Sequence, residues 1–399
     1  MSKETSHYEL LTTETAIAFI KEINYFSENE VVTAEEIRGE HSNLVFRIKG
    51  ESQNSVIVKQ ALPNPTIHGR RQSLTLDRAR IESESLKRSY QLVPEYTPNI
   101  YYHDAALAVT VMDDLSHLQN LQKGLNEKII FPRLARDVGT FLAHTLFFHS
   151  NFAMAHPEKK LLEQQLYNPE LSSVVENSTF NDLYFNLDMV SDKLHPFFEE
   201  TLLKDNKIKK EFASLKNDFL TKTETLLHGN FDTINILVNE EETYIINPEL
   251  AQYGPIGYDI GTFLAAIITT YLSEAAPNKN ETEHQEFQDY LTSVIIETWN
   301  VFDVEFGALW QESGQDPFMK VPGYLEQVLE EIFHNAIGFA GCMMINQSIR
   351  PLADEEIESS QLDSHLEITR KIISLGKSIV LNRKQFSTIN QLIKTITEQ

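Results

Sequence analysis

The tightest constraint on this chain is a change of hydrophobic period near residue 115. Before it, apolar residues fall in short runs: NLVFRIKG at 43–50, SVIVKQAL at 55–62 and ALAVTVMDD at 106–114. Runs of this length, rich in Val, Ile and Phe, read as strands. After it come long stretches with apolar groups at helical spacing, as in FPRLARDVGTFLAHTLFFHS, IKKEFASLKNDFLTKTETLL and YLEQVLEEIFHNAIGFAGCMM. Two brief strands near 234–247 interrupt them. A chain that changes period once is neither a plain sandwich nor a plain bundle, and 399 residues exceed one ordinary core. The expectation is an α+β protein with a small β-rich lobe over 1–115 and a larger, mainly helical lobe over 116–399. TETAIAFIKEINY at 13–25 predicts a leading amphipathic helix. LTLDRARIESESLKRSYQL, with Ile81, Leu86 and Tyr90 in helical phase, predicts a helix between the second and third strands. SEAAPNKNETEHQE at 273–286 reads as an exposed loop.

Charge narrows the classes of partner. Thirty-four basic residues face fifty-eight acidic ones, a formal charge of −24, which repels nucleic acid and anionic lipid. Any phosphate site must therefore be local. One cysteine, Cys342, excludes an intramolecular disulfide and suits a reducing compartment, so the cytoplasm is the default address. MSKETSHYELL lacks the basic start and apolar run of a signal peptide, and IGTFLAAIITTYL at 260–272 is too short to span a bilayer. No membrane association is expected. His117, His144 and His149 form no zinc-like spacing.

Chemistry is concentrated in HGNFDTIN at 228–235, followed by ILV and then by YIINPEL. Together with LTLDRARIES at 74–83, AVTVMDDLSHL at 108–118, NPELAQYGPIGYDIG at 247–261 and GFAGC at 338–342, these segments resemble, in order, the aminoglycoside phosphotransferase and protein-kinase-like superfamily. Within it they are most similar to the 5-methylthioribose kinase family. The resemblance implies a bilobal protein-kinase-like fold and a cleft for ATP or ADP. It implies that Lys59 and Glu82 pair to orient the α- and β-phosphates, with an exposed strand-edge lysine as the bland reading of Lys59 and Glu84 as a rival partner. GEHSNLVFRI takes the place of a glycine-rich phosphate cover with one glycine only, leaving Ser42 and Asn43 to supply donors, or a plain hairpin. VMDDL resembles the adenine hinge, with main-chain groups of Asp113 and Leu115 at the base edge and Met112 behind it. A strand running into a helix cap reads the same way.

Four positions depart from that family. Where the resemblance implies a loop aspartate acting on the acceptor hydroxyl, this chain has Asn230. Where it implies a magnesium-binding aspartate, it has Asn247. An amide is no base and carries no charge, and loss of a general base alone costs about 10² to 10⁴ in rate. Glu249 and Asn235 keep two metal-ligand positions, so Mg²⁺ binding is expected to be weakened. Asp232 or Asp114 could replace the lost base only if its side chain reaches the acceptor proton. The family's paired arginines beyond Gly-x-x-Gly-Cys fall on Asn346 and Gln347, and Arg350 is displaced along the helix by most of a turn. Asp259 in GYDIG is read first as a helix N-cap, and by resemblance as a brace of the loop. The expected function is a methylthioribose-kinase-like protein that binds a nucleotide and a small polar metabolite but is impaired in phosphoryl transfer, pseudokinase-like. The alternatives are an active ATP-dependent kinase on methylthioribose or another sugar-like hydroxyl, and a non-catalytic subunit or scaffold. A homodimer is compatible with each.

Overall fold

Alternation along the first strands decides which residues face the site. In the computed structural model, which describes residues 8–37, 42–51, 54–64, 66–67, 70–71, 74–182, 193–274, 281–349 and 362–398, helix α1 (Thr13–Glu22) precedes strands β1 (Val32–Glu36), β2 (Asn43–Gly50) and β3 (Ser55–Ala61). Helix α2 (Arg78–Leu92) leads to β4 (Ile100–Asp104) and β5 (Val109–Asp113). The five strands form one antiparallel sheet in the order β1-β2-β3-β5-β4. Phe46, Ile48, Val56, Val58, Val109 and Val111 pack on Ala16, Phe19 and Ile20 of α1. Because side chains alternate across a strand, the opposite face carries Val45, Ile57, Lys59, Thr110 and Met112. The register sets Lys59 opposite Val45 and Thr110, and Ile57 opposite Met112.

Helix α1 is capped by Thr12, which lies before the expected start and forms a capping box with Thr15. The helix ends at Glu22, earlier than the periodicity suggested. Strands β1 and β4 were not individually legible. Val32–Glu36 is short and mostly polar, and Ile100–Asp104 has no buried residue in its burial pattern. The segment at 39–48 expected to cover phosphate is described only from residue 42, so its turn lies outside the described residues.

The rest of the chain is dominated by helices. Helix α3 (Leu134–Phe148) packs on α5 (Glu281–Ser313), and α4 (Gly257–Ser273) packs on α6 (Tyr324–Ile349), which α7 (Leu362–Asn382) covers in turn. Their side chains share one large core, including Phe147, Phe263, Phe302, Phe306 and Phe339. Between them run β6 (Thr225–Leu227), paired antiparallel with β9 (Gln252–Gly254), and the hairpin of β7 (Ile236–Val238) and β8 (Thr243–Ile245). The last two are the strands expected near 234–247.

Two expectations need correction. The loop assigned to 273–286 is shorter: α5 already begins at Glu281, where Glu and Gln favour helix and Phe287 is buried as its anchor, while 275–280 lie outside the described residues. No stretch long enough to span a bilayer was expected, yet Tyr324–Ser348 is, among the described residues, long and apolar enough to cross a membrane, and 72% of its apolar window is buried inside the fold. It is a core helix, gripped by α4 and α7.

Contact between α4 and α6 is made backbone to backbone. A Cβ on Gly261 would lie 2.5 Å from the Ala336 carbonyl oxygen and 2.9 Å from the Ala340 nitrogen. No flexible side chain can yield there. Gly261→Ala is therefore expected to destabilise the chain by about 1–3 kcal/mol through overpacking, measured as a lower urea midpoint. An unchanged midpoint would show that the two helices can separate without cost.

Candidate active site

Lysine in the middle of a strand is usually solvated; here it is buried. Lys59 is 4% exposed and Glu82, on the facing side of α2, is 2% exposed, with Nζ 2.8 Å from Oε1. Burial of two unpaired charges would cost several kcal/mol, so the pair is mutually required. Glu84, the rival partner, instead meets Lys87 at the surface. Nζ of Lys59 also reaches Asn247 Oδ1 at 2.9 Å and Glu249 Oε1 at 2.7 Å.

The loop that supplies Asn230 is held from behind. Gly229 has φ +82°, and a Cβ there would lie 2.1 Å from the Leu250 carbonyl oxygen, so only glycine fits. The Asp259 carboxylate accepts the main-chain N–H groups of His228 at 2.6 Å and Gly229 at 3.1 Å. Asp259 is therefore the loop's brace. It is the third residue of α4, not its cap, which is Ile256. His228 Nε2 donates to the Ile246 carbonyl at 2.9 Å, and its Nδ1 accepts from the Asn230 N–H at 3.3 Å. Burial pushes the His228 imidazole down to about 4, so it is a neutral strut at pH 7.

A chain of amides crosses the site from here. Asn235 donates to the Asn230 carbonyl at 2.9 Å, and Asn247 donates to Asn235 Oδ1 at 3.2 Å while its own Oδ1 accepts from Lys59. Asn247 has φ +62°, a left-handed conformation that asparagine tolerates better than most residues. The Asn230 side chain is half-buried and has no hydrogen-bond partner among the described residues.

Glu249 is the carboxylate on which the small sheet and the loop region meet. Its Oε1 takes Lys59 and Asn43 Nδ2, both at 2.7 Å, and its Oε2 lies 3.2 Å from Arg78 Nε. Burial raises its pKa, but the charges of Lys59 and Arg78 outweigh that and hold it below the usual range. Ser42 Oγ accepts from Asn43 at 3.0 Å, so both expected donors sit at this edge. Sequence reasoning missed Arg78. It is 1% exposed and one helical turn before Glu82; that spacing, which puts both on one face of α2, was the available signal.

At the other end of β5 lie the residues expected to form the hinge, Met112, Asp113 and Leu115. The Asp113 side chain is turned outward, accepting from Tyr101 Oη at 2.6 Å and from the Asn99 N–H at 2.8 Å. The Leu115 amide donates to no acceptor among the described residues. Met112 is buried beside Ile57 on the face that carries Lys59. Asp114 ties this segment to β2 and β3 through Arg47 at 3.1 Å and Ser55 at 2.7 Å. A cavity of about 500 Å³ opens there, lined by Thr33, Lys49, Ser55, Asp114, Ser116 and His117 among others.

The acceptor-side residues divide. Asn346 is 6% exposed, and its amide donates to the Thr179 carbonyl, so it braces the helical core rather than facing a ligand. Gln347 donates to Asp232 Oδ2 at 2.7 Å, joining α6 to the loop, and Thr233 Oγ1 donates to Asp232 Oδ1 at 3.0 Å. Arg350 lies outside the described residues. Among the described residues no group of three His, Cys, Asp or Glu could hold a metal ion. Asn235, Asn247 and Glu249 offer oxygen donors of the kind Mg²⁺ takes, but with one formal negative charge, already shared by two cations.

A buried lysine–glutamate pair under a five-stranded sheet, facing a His-Gly loop on a helical body, defines the class of protein-kinase-like phosphotransferase folds. The chain belongs to the methylthioribose kinase family: it is 39% identical over 389 residues to the methylthioribose kinase of Geobacillus sp. (strain WCH70), covering 96% of this chain and 95% of that one. It is 35% identical over 398 residues to that of Bacillus cereus (strain ATCC 14579), covering 98% of each. A solved structure of choline kinase from Cryptosporidium parvum Iowa II aligns over 96% of this chain and 98% of its own, at 12% identity and TM-score 0.49. No protein-family model matches the chain.

Buried titratable groups behind the loop make stability depend on pH in opposing ways. His149, like His228, is pushed down to about 4 by burial, whereas burial pushes Asp259 up to about 7 against its two N–H donors. Each histidine contributes stability that is present above its ordinary value of 6.5 and lost as pH falls toward 4. Asp259 has the reverse sign: its contribution is present below its ordinary 3.8 and lost as pH rises toward 7. Between pH 4 and 6.5 the two histidines outnumber it. Stability is expected to rise with pH across that window, less steeply in His149→Gln and more steeply in Asp259→Asn, as read from urea midpoints at pH 4.5 and 6.5. Identical slopes in all three chains would contradict this assignment.

Proposed function

We propose that this chain binds an adenine nucleotide, ATP or ADP, in the cleft between the sheet and the helical body, with phosphoryl transfer to a methylthioribose-like acceptor strongly reduced. The reading rests on one observation: Lys59 meets an uncharged Asn247 amide, leaving Glu249 as the only carboxylate in the expected metal seat. Asn230 likewise offers no base to the acceptor hydroxyl. In this reading Met112 and the main-chain groups of Asp113 and Leu115 take the adenine, and Lys59, Ser42 and Asn43 lie along the phosphates. Asn235, Asn247 and Glu249 are the residues that would hold a divalent cation, weakly, and it would supply positive charge against the phosphates. The lobe boundary falls at 115/116.

A second reading, an active kinase, is favoured by Asp232. Its carboxylate lies in the same loop as Asn230, whose carbonyl accepts the Asp232 N–H at 2.9 Å, and Gln347 holds it in place. Phosphoryl transfer depends mostly on positioning and charge stabilisation, so a displaced acid keeps that route open.

Calorimetric titration with ATP and ADP, with and without Mg²⁺, separates these readings when paired with methylthioribose-dependent ADP release. The expected result is nucleotide binding that Mg²⁺ changes little, and ADP release that rises by about 10² or more in Asn230→Asp/Asn247→Asp. Rapid turnover by the unaltered chain, abolished in Asp232→Asn, would establish the second reading instead. Failure to bind either nucleotide would remove both.

A further inference from the structure

Arg78 is among the largest fully buried side chains in the protein, and its location is unusual for a structural arginine. It opens α2, and its guanidinium grips three main-chain carbonyls: Thr75 at 3.0 Å, Ser42 at 2.6 Å and Leu62 at 2.9 Å. Carbonyls satisfy hydrogen bonds but do not neutralise the charge. Its carboxylate contact is Glu249, 3.2 Å from Nε, which Lys59 and Asn43 also hold at 2.7 Å each. Two cations and a neutral amide thus converge on one carboxylate. Ser42, whose carbonyl Arg78 grips, immediately precedes β2 at the edge of the expected phosphate cover.

Convergent donors of this kind form an anion seat, and a phosphate oxygen suits them as well as a carboxylate oxygen does. The charge balance favours exchange. Lys59 and Arg78 offset Glu82 and Glu249, whereas a carboxylate at 247 would leave the cluster with a net negative charge that repels phosphate. Asn247 removes that repulsion and weakens the attraction for a divalent cation in the same step.

We propose that Arg78 is a phosphate-binding residue of this cleft, and that Glu249 is a tethered anion that competes with the terminal phosphate of a nucleoside diphosphate or triphosphate for Arg78, Lys59 and Asn43. This rests on the nucleotide reading above and adds to it the residue that discriminates by phosphate. Binding without metal exchanges one anionic oxygen for another: the phosphate takes the donors and Glu249 turns away.

The test is calorimetry on the full-length chain in EDTA, with ADP and adenosine as probes. Glu249→Gln, which keeps the shape and removes the competing charge, is expected to bind ADP roughly tenfold more tightly, with adenosine unchanged. Arg78→Met is expected to bind ADP roughly tenfold more weakly, again with adenosine unchanged, and Arg78→Lys to fall between. A purely structural Arg78 would instead lower both affinities together as the cleft loosens, and that parallel loss in both Arg78 variants overturns the proposal. So does a Glu249→Gln chain that binds ADP no more tightly than the unaltered one, a readout that stands even if Arg78→Met fails to fold. If the unaltered chain binds neither ADP nor adenosine, the nucleotide reading itself fails. If it binds both and the variants do not separate them, only the phosphate assignment fails.

Discussion

One ammonium group organises this molecule. Lys59 Nζ lies within 3 Å of Glu82, Glu249 and Asn247, which come from the helix beside the sheet and from the segment that follows the His-Gly loop. Remove the lysine and the buried Glu82 and part-buried Glu249 carboxylates lose a counterion together, while the sheet loses a principal polar tie to the rest of the chain. The burial of Lys59 at 4% exposure is tolerable only because all of these partners are present. The antiparallel register that sets Lys59 opposite Val45 and Thr110, the phase of α2 that turns Glu82 inward, and the left-handed Asn247 each serve that convergence.

Behind it, the loop geometry is kept by neutral or internally paired groups. Asp259 fixes two consecutive main-chain N–H groups, and the neutral His228 ring links the Ile246 carbonyl to the Asn230 amide. The row Asn230–Asn235–Asn247 is an unbroken relay of amide hydrogen bonds ending at Lys59. Such a relay holds shape as firmly as one with carboxylates would. It differs in field: it neither attracts a divalent ion strongly nor accepts a proton. The outline of the cleft is thus kept with uncharged side chains at Asn230, Asn235 and Asn247.

Much of this was legible in the residues. The change of period near 115, the three strands at 43–62 and 106–114, and the helix around Ile81 and Leu86 follow from short-range pattern, because alternation and helical phase act over a few residues; the Lys59–Glu82 pair came from the family resemblance, which preferred Glu82 to Glu84. The preference for Asp259 as a helix cap was wrong because the sequence sees only that Asp259 lies near a helix start. Its actual partners are thirty residues away and come into reach when α4 docks. Asn346 and Gln347 show the same limit. They are adjacent in sequence, yet one turns into the core toward Thr179 and the other toward Asp232. A helix rotates successive side chains by about 100°, and only the packed neighbours decide which direction is the site.

Sequence alone determined which groups can carry charge at the site: Asn230 and Asn247 are amides in any fold, and no arrangement of the chain makes them bases. Tertiary structure decided where the remaining charges meet. That Glu249 is shared by Lys59 and Arg78, that Asp259 serves the loop, and that the apolar 324–348 stretch is an inner helix rather than a span all depend on contacts between distant segments. The physical reason is that the protonation chemistry of a side chain belongs to its atoms, whereas pairing and burial are settled by which other surfaces exclude water around it.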